Sequence, residues 1–96
     1  MDNNKDAYVR KLKAKIDEWN AEIDLLKARA EQAEAESRLK YQKQVEELKE
    51  HRDKAREKIA VLQEAGEGAW KDLRVGVELA FESMSQALKS ARKRFK

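Results

Sequence analysis

The chain has no cysteine and no proline, and its 96 residues include only three glycines and one histidine. Without cysteine there can be no disulfide framework. Without proline nothing strongly breaks a helix, and the few glycines weaken one at only a few positions. The sequence also lacks a glycine-rich phosphate loop, an HExxH pattern and the ExxH pairs of helical-bundle metal sites. These absences predict a protein that is not an enzyme and holds no metal or cofactor.

Aromatic residues are also few, at 6%, whereas charged residues make up 43% of the chain. A composition dominated by Ala, Glu, Lys, Leu and Arg is typical of a long helix or coiled coil. No window approaches the roughly 18 to 20 uncharged apolar residues that a spanning helix needs. The amino-terminal sequence MDNNKDAYVRK has no apolar signal region, which predicts a cytoplasmic location.

Apolar residues recur at alternating intervals of three and four in the first third of the chain, as in a coiled-coil heptad. This first seam, continued by Ala30 and Ala33, consists of Val9, Leu12, Ile16, Trp19, Ile23 and Leu26. A second seam follows one residue out of frame: Val45, Leu48, Arg52, Ala55, Ile59 and Leu62. The pattern predicts one helix over about 4–65. Its middle, with small residues at Ala30, Ala33 and Ser37, should be the part that opens most easily.

Gly66 and Gly68 stand close together after this run, where glycine can form a left-handed cap and reverse the chain. A turn over Gly66–Gly68 is the preferred interpretation, and a continuous helix through it is the alternative. A second helix over about 69–95 follows. Its apolar face comprises Trp70, Leu73, Val77, Phe81, Met84, Leu88 and Phe95.

These elements predict a single all-α domain over 1–96, either a helical hairpin or an extended coiled coil. Because helix two has the length to cover only residues 38–65, the first seam is left without a partner inside the chain. Such a seam is expected to pair with a second copy. The leading functional prediction is therefore a structural or adaptor protein that self-associates, as a dimer or higher oligomer, and binds partner helices.

The end of the chain is basic. Residues 89–96 contain five cations and no acidic residue, and the 88 residues before them carry 17 basic and 19 acidic side chains. The five are Lys89, Arg92, Lys93, Arg94 and Lys96. Cations there complement the helix dipole, but together with an amphipathic helix two they also suggest an alternative function, binding to an anionic membrane surface. Nucleic-acid binding is the least favoured function, because no recognised motif is present.

The remaining candidates have simpler interpretations. Trp19 and Trp70 could stack on a ligand, but both lie on apolar stripes and are expected to pack in the core. His51 is expected to be a solvated residue beside the second seam. The carboxylates Glu46, Glu50 and Asp53 are interpreted as a charged helix face rather than a cation site.

Four segments together carry a resemblance: Asp17–Ile23 (DEWNAEI), Tyr41–Gln44 (YQKQ), Gly68–Leu73 (GAWKDL) and the basic end from Ser90 to Lys96. With them the chain resembles, over nearly its whole length, a group of short bacterial "coiled coil domain-containing" proteins. The resemblance implies a bacterial origin and a helical fold, and it brings no activity and no site residues.

Overall fold

The computed structural model describes residues 3–66 and 68–95, and they form three helices. These are α1 (Asn3–Gln32), α2 (Ala35–Glu64) and α3 (Trp70–Arg94). The prediction of an all-α chain is confirmed. The helices lie side by side in a rod of 53 × 18 × 17 Å. The close backbone approaches are those of α2 with α1 and of α2 with α3, whereas α1 and α3 meet mainly through side chains.

Contacts between the helices establish their directions. Near the start of α1, the Lys5 ammonium donates to the carbonyl oxygens of Gln63 and Ala65, at 2.9 and 2.8 Å. Further along, Asn20 meets Arg52, so α1 and α2 are antiparallel. Tyr8 pairs with Trp70 and Trp19 with Phe81, so α1 and α3 run in the same direction.

The prediction of a single helix over 4–65 is wrong, because the chain breaks at Ala33 and Glu34. Glu34 is extended (φ −63°, ψ 156°), and no side chain caps the start of α2. The reason is tertiary: a straight helix of about 60 residues leaves its apolar stripe in water, whereas folding back buries it. The break falls where the seam residues are small, so it sacrifices little buried area. The segment expected to open most easily is thus the one where the helix ends.

The turn before α3 is confirmed as a break in the helix, but the expected left-handed glycine cap is absent. Among the described residues no glycine has a positive φ. Helix α2 ends instead at Ala65, which is extended (φ −72°, ψ 146°). The amides of Ala69 and Trp70 then donate to the Gly66 carbonyl at 3.1 and 3.2 Å, which starts the next helix. Helix α3 agrees with the predicted helix two to within a residue at each end.

All six aromatic residues pair across helix interfaces. Trp19 and Phe81, with ring centroids 4.6 Å apart, join α1 to α3 near the middle of the rod. Such pairs stabilise beyond the area they bury. The three pairs lie at three levels of the rod: Tyr8 with Trp70, Trp19 with Phe81, and Tyr41 with Phe95.

One polar contact interrupts the apolar interface of α1 with α2. Arg52, in the second seam, donates from Nη1 to Asn20 Oδ1 at 3.0 Å, and its guanidinium also pairs with Asp53 at 3.1 Å. This partly buried contact between helices forms in one register only, since sliding the helices would leave Asn20 without this partner and Arg52 with Asp53 alone. Asn20 and Arg52 therefore help to specify how α1 aligns with α2.

Gly76 lies inside α3 in an ordinary helical conformation, and a β-carbon added there would meet nothing within 4 Å. We therefore expect Gly76→Ala to stabilise the protein by about 0.5–1 kcal/mol, because alanine loses less backbone entropy in a helix. The melting temperature should rise by roughly 2–8 °C. The reverse change at the exposed helical residue Ala14 should lower the melting temperature by a similar amount. An unchanged or lower melting temperature for Gly76→Ala would show that this position is packed more tightly than the structure indicates.

Candidate interaction surfaces

The first seam, predicted to be the self-association surface, lies in the core of the single chain. Its exposure ranges from 1% at Ile23 to 8% at Leu12. The seam packs with buried residues of α2 and α3 in one continuous cluster. The premise that it has no partner within the chain is therefore wrong. The residues concerned are Val9, Leu12, Ile16, Trp19, Ile23 and Leu26.

The apolar face of α3 is also covered. Trp70, Val77, Met84, Leu88 and Phe95 are buried, and Leu73 and Phe81 are partly buried against the same core. The prediction that Trp19 and Trp70 pack in the core is confirmed, with exposures of 3% and 5%. Inserting this face into a bilayer would require the bundle to open first.

Apolar residues that remain exposed are scattered over the three helices. Only Val75 and Leu79 share the four-residue spacing that places side chains on one face of a helix. The exposed set is Leu25, Leu39, Val61, Val75 and Leu79. Isolated apolar residues are ordinary on protein surfaces, so they define no docking patch by themselves.

The cations of the predicted basic end have different surroundings in the structure. Lys89, Arg92, Lys93 and Arg94 are exposed, and Lys96 lies outside the described residues. Arg92 differs from the others because it forms a two-pronged ion pair with Glu22 of α1, through Nε to Oε1 and through Nη2 to Oε2, the latter at 2.7 Å. The hydrogen bond to Glu22 is the main reason that the pKa of Arg92 is raised. Arg92 therefore fastens α3 to α1 and is less available to an outside anion than its neighbours.

Sequence reasoning missed a groove between the start of α2 and the end of α3. We call it the basic groove. It has a volume of about 580 Å³ and is lined by Ser37, Lys40, Tyr41, Lys43, Gln44, Glu47 and Arg94. Lys40 and Lys43 lie more than fifty positions before Arg94 in the chain, so no local pattern could have linked them. The stacking of Tyr41 on Phe95, with centroids 4.3 Å apart, brings the two segments together.

At the opposite end of the rod Tyr8 lies under the guanidinium of Arg74, whose central carbon is 5.2 Å from the ring centroid. Arg74 is held from the other side by Glu78, with Nε to Oε1 at 2.9 Å. Burial is the main cause that raises the pKa of Tyr8, and the charge of Glu78 adds to it while Arg74 opposes it. A raised pKa keeps the hydroxyl protonated, and the cation over the ring is a packing contact.

The carboxylate candidates behave as surface residues, whereas His51, expected to be solvated, is partly buried on α2. Glu46 pairs with Lys49 at 3.7 Å, and Asp53 pairs with Arg52, as expected of a charged helix face. Within residues 3–66 and 68–95 no group of three or more His, Cys, Asp or Glu side chains is placed to hold a metal ion.

Helices in the described part of the chain are too polar to cross a membrane. Comparison with known proteins gives no match to a protein-family model, to a curated protein or to a solved structure. Functional proposals for this chain therefore depend on its own geometry.

Proposed function

We propose that the protein is a non-enzymatic helical interaction protein, a cytoplasmic structural or adaptor component, that self-associates by exchanging α1 between copies. The observation that carries this proposal is the break between α1 and α2. It occurs at Ala33 and Glu34, two residue types that favour helix, in a stretch with no glycine or proline before Gly66. Local preference and observed conformation therefore conflict at this junction.

This conflict between helix preference and observed conformation implies that contacts elsewhere in the chain keep the junction between α1 and α2 bent. Nothing in the covalent chain requires Glu34 to be extended, and no side chain caps the first turn of α2 there. Burial of α1 against α2 and α3 supplies the opposing free energy. If α1 is released, the junction is free to become helical, and α1 and α2 would then form one helix of about 62 residues, roughly 90 Å long.

Two such extended chains expose complementary surfaces. Each exposes the first seam on α1 and also retains α2 and α3 as a helical hairpin that lacks its third helix. If each α1 packs on the hairpin of the other chain, every interface of the monomer is rebuilt between chains. The junctions gain helical hydrogen bonds, which offset part of the entropy lost on association. A partner protein could occupy the same place with an amphipathic helix of its own, and this would be the adaptor activity.

The substitution Ala35→Pro tests this proposal. Residue 35 begins α2, where proline is well tolerated, and Glu34 before it already has the extended conformation that a following proline requires. In a continuous helix the same proline would remove a hydrogen bond and clash with the preceding turn, at a cost of about 3 kcal/mol per junction. We therefore expect Ala35→Pro to keep the monomer folded and to abolish the exchanged dimer.

The measurement is molar mass by light scattering over a range of concentrations, with the maximum dimension from small-angle X-ray scattering. The native chain should show a concentration-dependent dimer that is longer than the 53 Å bundle. Ala35→Ser, which retains the amide hydrogen, should behave like the native chain. A native chain that stays monomeric at every concentration, or a dimer unaffected by Ala35→Pro, would rule out exchange of α1.

A further inference from the structure

Charge is distributed in bands along the rod. The middle band, residues 16–26, 47–57 and 78–88, carries four basic and ten acidic side chains. The end where α1 stops, α2 begins and α3 stops, residues 27–46 and 89–95, carries nine basic and four acidic ones. Contacts between Trp19 and Phe81, and between Asn20 and Arg52, show that the three middle segments lie at one level. The opposite end, residues 3–15, 58–66 and 68–77, carries eight basic and three acidic side chains. The two ends are therefore alike in net charge and differ in how their cations are placed: at the opposite end Lys5 is bound to two backbone carbonyls and Arg74 to Glu78.

The basic groove is the place at the first of these ends where cations from two helices converge. Lys40 and Lys43 of α2 and Arg94 of α3 line one groove of about 580 Å³. None of the three forms an ion pair with another described residue, and Glu47 is the single carboxylate among the described residues of the lining. Three cations and one carboxylate leave an excess of positive charge in the groove, and an external anion reduces that excess.

We propose that the basic groove docks the end of the rod on an anionic membrane surface, with lipid phosphates as its ligands. An acidic middle band between basic ends favours a flat anionic partner that the rod contacts with one of its ends. A nucleic acid long enough to follow the rod would run against the acidic middle band. The aromatic residues on which single-stranded bases would stack are already paired between helices. Leu39, 72% exposed between Arg38 and Lys40, adds an apolar contact at the same end.

Docking of this kind is electrostatic and leaves the bundle closed. It differs from insertion of the α3 apolar face, because Trp70 and Phe95 stay buried in the core. Binding should therefore weaken steeply as salt shortens the screening length, which is about 8 Å at physiological ionic strength. The fluorescence spectrum of the two tryptophans should not change on binding.

The test is co-sedimentation of the full chain with vesicles of phosphatidylcholine and phosphatidylserine, compared with vesicles of phosphatidylcholine alone. Each cation near an anionic surface is expected to contribute about a fivefold change in partitioning, so the combined change Lys40→Gln, Lys43→Gln and Arg94→Gln should reduce binding on the order of 100-fold. The control neutralises Lys11, Lys13 and Lys15 at the opposite end, with the same change in net charge, and should change binding by less than about fivefold.

A second variant is expected to bind anionic vesicles more tightly, so the test does not rest on loss of vesicle binding alone. Glu47→Gln removes the only carboxylate among the described residues of the groove lining and should increase partitioning by about fivefold. Equal losses in the two triple variants, binding to uncharged vesicles, or tighter binding to an oligonucleotide than to anionic vesicles at the same salt would each overturn the proposal. At concentrations where the native chain is monomeric, Ala35→Pro should bind vesicles like the native chain, which separates this proposal from the exchange of α1.

Discussion

Ile23→Asp should unfold the bundle. The side chain is 1% exposed in the centre of the first seam, so the substitution removes a fully buried aliphatic group and places a carboxylate where no partner is available. Together these effects are expected to exceed about 5 kcal/mol, comparable with the entire stability of a small domain. Circular dichroism should show the loss of most helical signal at room temperature.

Leu25 provides the matched control two positions away on the same helix. It is 53% exposed, so Leu25→Asp makes the same chemical change in water and should alter stability by less than about 0.5 kcal/mol. If Ile23→Asp produced a fully helical monomer with an unchanged melting temperature, the seam could not be part of an intrachain core.

Trp19→Ala should destabilise the protein by about 3–5 kcal/mol, since it deletes the largest buried side chain of α1 and leaves a cavity at the level where all three helices meet. Part of that loss belongs to the contact with Phe81, whose ring centroid is 4.6 Å away. Denaturant unfolding of Trp19→Ala, Phe81→Ala and the double variant should give a coupling energy of about 0.5–1.5 kcal/mol.

Glu18, the exposed neighbour of Trp19, supplies the control for the change of helix propensity. Glu18→Ala should shift stability by a few tenths of a kcal/mol at most. If the losses in free energy of unfolding at residues 19 and 81 were additive, the two rings would bury area independently and their contact would not stabilise the packing of α1 against α3.

Periodicity allowed much of the fold to be predicted from the sequence. Ile16 and Ile23 follow a spacing that only a helix places on one face, and Ile59 and Leu62 do the same on α2. The break at Glu34 could not be found in this way, because its cause is the burial of residues far along the chain. Local signals at that position, an alanine on either side of a glutamate, favour a continuous helix.

The candidate surfaces were predictable only where they are local. The basic end was recognised as a run of cations, but the engagement of Arg92 by Glu22 and the addition of Lys40 and Lys43 to Arg94 depend on how α3 lies against its neighbours. Such pairings can be predicted only when the register of the helices is known. Asn20 and Arg52 help to specify that register, and no heptad pattern contains the information.

The central position of α2 has a consequence for how the chain folds. Both close backbone interfaces join helices that are neighbours in the sequence, α1 with α2 and α2 with α3. Either interface can form after closure of a short loop, so the search is local and rapid, as in other helical proteins with few long-range contacts. Joining Trp19 to Phe81 closes a loop of about 60 residues, which costs more entropy than closing either junction. The side-chain contacts between α1 and α3 should therefore form last, after the folding transition state, and determine how slowly the bundle reopens.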